Sequence, residues 1–186
     1  KIEKEIKTKK FEFDIKYEDI HMNIEKRLFQ IIGEEAGYIH TGRSRNDQVI
    51  TDLKIWIKSS TKEINITIDK VIKNILKIAE KNIDTIMPGF THLKNAQAIS
   101  FAHYLMALIE MFLRDKKRFK NNFDNLNENP LGVAALTGTS FNIDRNYTTK
   151  KLGFKKPTNN SIDTVSDRDF VLDFLYSISI CSMHIS

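Results

Sequence analysis

The 186-residue chain carries one cysteine, Cys181, which excludes an internal disulfide framework and any cysteine-built metal cluster. A reducing compartment is therefore the default. No charged-then-apolar leader pattern opens the sequence, and its apolar stretches are too interrupted to span a bilayer. These absences give the expectation of a cytoplasmic protein with no membrane role. The net charge is +5, yet there is no zinc-finger, RNA-binding aromatic or helix-turn-helix pattern, so basic charge alone does not argue for nucleic acid. Strand-like alternation is absent as well, and the fold expected from pattern alone is all-α. An initiator methionine is lacking too. The chain starts on Lys1 and stops inside "FVLDFLYSISICSMHIS", an apolar run without a stop signal, so a fragment truncated at both ends is expected.

What is present is long-range helical patterning. Residues 1 to 17 are charged and weakly patterned, a lead-in. Ile20, Ile24, Leu28 and Ile31 or Ile32 share one face of a helix that Gly33 and Gly37 punctuate. From Asp47 to about Ile83 the apolar positions Val49, Leu53, Trp56, Ile64, Ile68, Val71, Ile75 and Ala79 recur mostly by threes and fours. That predicts one helix near 36 residues and about 55 Å long. A helix of this length belongs in a bundle with long neighbours. Trp56 reads as core, and Lys70, Lys73, Lys77 and Lys81 as a solvated face.

"IMPGFTHLKNAQ" reads as a loop, followed by a second helix from roughly Gln97 to Phe123, apolar nearly all round in its first half. "NENPLGVAALTGTSFNID" is a glycine-containing loop whose Thr137, Thr139 and Ser140 could border a ligand or a close packing turn. "DRNYTTKKLGF" is a short helix closed by Gly153. A last helix, capped by Ser166 or Asp163, places Phe170, Phe174, Ile178 and Cys181 on one side.

Two clusters could carry chemistry. Arg43, Ser44, Arg45, Asn46 and Asp47 crowd the start of the long helix, where unpaired N–H groups and the helix dipole already favour anions. They are either a donor set for a carboxylate or phosphate, or a cap of Ser44 or Asn46 with both arginines in water. His92 lies beside Thr91 in the proline- and glycine-flanked segment between two helices. It could move a proton at neutral pH or simply hold that segment together. His103 reads as a core histidine, His21 and His40 as buttresses of the first cluster, and His184 has no signal of its own.

The segments "EDIHMNIEKRL", "HTGRSRNDQV", "MPGFTHLKNAQ", "NPLG…ALTGTSFNIDR" and "NSIDTVSDRDFVLDFL" together resemble the argininosuccinate lyase family of the fumarase/aspartase superfamily. The resemblance runs from about Tyr17 onward, and HTGRSRNDQ is its most specific part. It implies an all-α long-helix bundle, with residues 1–42 closing an N-terminal helical domain and 43–186 opening the central bundle. The implied reaction splits argininosuccinate into arginine and fumarate without metal or organic cofactor. Carried over by position, His92 is the implied proton-transfer residue, and Arg45, Asn46 and Thr91 the implied substrate contacts. A homotetramer with sites shared between subunits is also implied. The rivals are a catalytically silent crystallin-like homologue and a related lyase such as adenylosuccinate lyase or fumarase.

Overall fold

The computed structural model describes all 186 residues. Short helix α1 (Ile2–Lys7) forms where only a lead-in was expected, and it packs on α2 (Ile20–Ile32). The two are joined by Arg27, whose Nε and Nη2 grip Glu5 at 2.8 and 2.7 Å. Asp19 caps α2 by accepting the Met22 N–H at 2.7 Å. Gly33, at φ +73°, ends it, and a 3₁₀ helix (Gly33–His40) leads on. The long helix α3 (Arg45–Glu80) is 36 residues, as the periodicity predicts.

The buried face of α3 is rotated from the apolar stripe read in the sequence. Its fully buried positions include Ile50, Ile57, Ile68 and Ile72, but also Asp47, Thr51, Lys54, Lys58 and Thr61. Trp56 is 59 % exposed and only leans an edge on Phe174, so it is not core. The reason is that two lysines occupy the buried face with local compensation. Lys58 Nζ donates to Asn127 Oδ1 at 2.7 Å and to the Gly153 carbonyl at 2.6 Å, beside the Phe154 ring. Burial pushes the Lys58 pKa below the usual lysine value, with Lys62 nearby acting in the same direction.

After α3 the chain forms an antiparallel hairpin, β1 (Ile86–Thr91) with β2 (Lys94–Ser100), where a loop was expected. Its register shifts between Pro88 and Phe90, and a Cβ on Gly89 would sit 2.9 Å from the Gln97 carbonyl oxygen, so glycine is needed there. Neither face of this two-stranded ribbon is buried, which is why no apolar/polar alternation marks it.

Helix α4 (Phe101–Asn125) therefore starts later than the sequence suggests, capped by Ser100. It buries Leu105, Ile109, Phe112, Asp115, Phe119 and Asn122 against α3 and the last helix. His103 falls off that face and is exposed, not a core histidine. A two-residue parallel pairing of β3 (Glu128–Asn129) and β4 (Lys156–Pro157) brackets α5 (Arg145–Leu152), which Gly153 closes in the left-handed conformation.

Helix α6 (Ser161–Ser166) precedes α7 (Asp169–Ile185). Neither Ser166 nor Asp163 caps α7. Asp167 instead accepts the Asp169 N–H at 2.9 Å, because α6 already occupies residues 161–166. Phe170, Phe174 and Cys181 are buried, with Ile178 packed against the same core. His184, silent in the sequence, donates or accepts through Nδ1 at 2.7 Å from Asp115, whose carboxylate is wholly buried in α4. No helix is long and apolar enough to cross a membrane.

Candidate functional site

The start of α3 is built by its own first turn. Ser44 is the cap, its hydroxyl accepting the Asn46 N–H at 3.3 Å while the Asp47 carboxylate accepts the Ser44 N–H at 2.9 Å. This reciprocal pair is a capping box. Asn46 therefore does not cap the helix. Its side chain reaches outward and donates through Nδ2 to the Ala135 carbonyl at 2.9 Å.

Asp47 reaches further than capping requires. It is completely buried, and its second oxygen accepts the N–H groups of Gly132 and Ala134, each at 2.9 Å. Behind the same loop, Arg145 donates Nε to the Leu131 carbonyl at 3.3 Å and Nη2 to the Asn129 carbonyl at 3.1 Å. Burial lowers the Arg145 pKa from the ordinary arginine value, and the Asp47 charge opposes that. Gly132 lies between the two at φ +100°, and a Cβ there would come 2.8 Å from Arg145 Cγ. Residues 129–135 are thus strapped between a buried carboxylate and a half-buried guanidinium, and Asn46 is fastened to the result.

The arginines do not point into water. Arg43 Nη2 donates to Glu25 Oε1 at 2.5 Å. Arg45 Nε pairs with Asp19 at 2.8 Å, and its Nη1 donates to Gln48 Oε1 at 2.8 Å and reaches Glu25 at 3.4 Å. Nη2 of Arg45 makes no hydrogen bond within the chain. Gln48 then turns its amide nitrogen toward His21 Nδ1 at 3.1 Å, with Asp52 at 3.6 Å from the same ring atom. Burial raises the Asp52 pKa above the usual aspartate value, partly offset by His21, Arg43 and Arg45. His21 and His40 do buttress the cluster, His40 lying 3.3 Å from Glu25. A recess of about 380 Å³ adjoins the tip, bordered by His40, Thr41, Arg43, Ala134, Thr139 and Phe141.

Thr91 and His92 sit elsewhere. They lie at the hairpin tip, both exposed, with Thr91 paired to Lys94 across a two-residue turn. His92 and Leu93 hold φ of +49° and +63°, the signs of a type I′ turn. The hairpin leaves from the opposite end of α3, about 50 Å of helix from Arg45. One chain therefore brings Arg45 and Asn46 together and leaves Thr91 and His92 apart from them. Asp47 could have been found in the sequence as the last residue of a Ser-x-x-Asp cap. Glu25 and Arg145 carried no such signal, because their partners are 15 and 13 or more residues away.

A long-helix bundle with a donor-rich helix start and a histidine-tipped hairpin describes a lyase scaffold, and the family model described as "Lyase" matches residues 1–186. The chain belongs to that lyase family. Its relatives include the argininosuccinate lyase of Pelagibacter ubique (strain HTCC1062), 80% identical over 186 residues, all of this chain and 40% of that protein. The argininosuccinate lyase of Chelativorans sp. (strain BNC1) is 53% identical over 182 residues, 98% of this chain and 38% of that protein. The chain thus spans about two fifths of the length of these relatives. Among solved structures, EDDS lyase in complex with formate superposes with TM-score 0.84 at 29% identity, over 88% of this chain and 33% of that one. Class II fumarase from Schistosoma mansoni shares the fold, with TM-score 0.67 at 16% identity over 78% of this chain and 35% of that one.

Proposed function

We propose that the chain is the part of an argininosuccinate lyase that holds the substrate's succinyl carboxylates and one proton-transfer group. The observation that carries this reading is the 80% identity over all 186 residues to a protein named argininosuccinate lyase. The geometry supports it: Asn46 is pre-fixed by Ala135 with a second amide N–H to spare, and in the adjacent residue Arg45 Nη2 makes no hydrogen bond within the chain.

In the reaction a base removes a proton from the carbon beside a succinyl carboxylate. That electron pair first moves onto the adjacent carboxylate, then forms the C=C bond of fumarate as the C–N bond breaks, and the departing guanidino nitrogen of arginine takes up a proton. The intermediate carries extra negative charge on that carboxylate. Donors already in place at Arg45, Asn46 and the helix start stabilise it more than they stabilise the ground state. His92 takes part in the proton transfer, and Thr91 binds substrate beside it.

Because about 50 Å of helix separates Arg45 from the hairpin in one chain, a complete site needs the hairpin of another copy. A homotetramer with shared sites, working in the cytoplasm, follows from this reading. Residues 1–42 then end an N-terminal domain and 43–186 begin the central bundle. The test is the absorbance of fumarate released from argininosuccinate by the full-length protein, run beside adenylosuccinate. Fumarate release from argininosuccinate is expected; release only from adenylosuccinate, or from neither, overturns the assignment.

A further inference from the structure

Helix α2 rests against the tip of α3 through charge and not through apolar packing. Its sole buried residue is Asn23, while Ile20, Phe29 and Ile32 are 51, 52 and 44 % exposed. Glu25, in its second turn, supplies the hub: a single oxygen, Oε1, meets Arg43 Nη2, Arg45 Nη1 and His40 Nδ1 at 2.5, 3.4 and 3.3 Å. Without it, two guanidiniums two residues apart would share a helix start that is already electropositive, and would repel each other. Asp19 holds only the Nε side of Arg45, and Arg43 has no other acceptor, its Nε being buried without a partner.

We infer that Glu25 is a positioning residue for the carboxylate-binding tip, fixing the Arg43 and Arg45 guanidiniums at the start of α3. This rests on the proposed function, and it assigns a role to a side chain on a separate helix that touches no substrate. Burial by itself would raise the Glu25 pKa, but the His40 contact and the Arg43 and Arg45 charges overcome it and hold it below the usual glutamate value. The group is therefore ionised whenever the enzyme works at neutral pH.

Substituting Glu25→Gln preserves shape but leaves Arg43 without its carboxylate acceptor and Arg45 with Asp19 alone. The added positive charge helps ground-state attraction of a dianion, while the lost alignment harms the transition state. The split expected in the full-length protein is a kcat about tenfold lower with KM unchanged within threefold or reduced, since small misplacements of orienting groups are costly. Glu25→Asp, which keeps the charge on a shorter arm, is expected to fall between the two and carries the test if Glu25→Gln does not fold. A kcat within twofold of wild type in both, whatever happens to thermal stability, overturns the positioning role.

A crystal structure of Glu25→Gln separates this result from the fate of the parent reading. If the wild-type protein cleaves no argininosuccinate, the proposed function fails. Guanidiniums of Arg43 and Arg45 displaced in that crystal structure still support the positioning role, and guanidiniums left in place overturn it.

Discussion

The two ends of α3 solve opposite problems. At its start, residues 43–48 are locked by partners from α2, from the 129–135 loop and from their own first turn. Beyond its far end, the Thr91–His92 tip makes no side-chain hydrogen bond and is fixed only by backbone pairing and a left-handed turn. A carboxylate pocket gains from pre-paired donors that need no reorganisation. Under the proposed function, a proton-transfer group that enters a site on another copy gains from a slender, exposed arm. On that proposal, the chain finishes one half of a shared site internally and leaves the other half to be completed by a partner copy.

The strongest way to break this comparison is Asp47→Ala. It leaves the N–H groups of Ser44, Gly132 and Ala134 without their acceptor, and orphaned buried donors at roughly 1–3 kcal/mol each imply a loss of about 4 kcal/mol. A urea-unfolding midpoint equal to wild type would show the tip is not held as described.

His92→Asn should do the reverse. Turnover of the full-length protein is expected to drop by about 10²-fold, while the unfolding midpoint stays put because the side chain is exposed. A kcat near wild type would take His92 out of the reaction.

A smaller effect is expected from acid. Glu25 has a folded pKa below its unfolded one, so its stabilisation is present above the ordinary glutamate range, near pH 4.3, and is lost as pH falls through the lower folded value. Melting temperature against pH should therefore show wild type and Glu25→Gln furthest apart near neutrality and converging below about pH 4. A constant gap across that range would contradict the ion-pair account.

Smallest of all is Leu93→Gly. Leu93 is 97 % exposed at φ +63°, so glycine relieves backbone strain without losing packing, and a gain of up to about 1 kcal/mol is expected in thermal unfolding. A loss instead would mean the leucine side chain itself supports the tip.

Much of the fold was legible along the chain. The 36-residue length of α3, the apolar side of α7 and the glycine closing α5 all follow from local periodicity and caps, which depend on residues three or four apart. The hairpin was not legible, since a ribbon buried on neither face has no alternation to display, and His-Leu is not a usual type I′ pair. Trp56 was misplaced for a related reason. An amphipathic stripe locates a face only to within about one position, and the buried lysines, Lys58 paired with the Asn127 side chain and the Gly153 carbonyl and Lys54 with Asp167, shifted it.

By itself the sequence determined the 36-residue α3, the apolar side of α7 and the crowding of donors at the start of α3, because spacing along one chain fixes which side chains share a surface. Only the tertiary structure decided what those donors are tied to. Glu25, Arg145 and the Gly132–Ala135 backbone come from distant segments, and charge pairing inside a folded protein depends on distance through space, which no local pattern encodes.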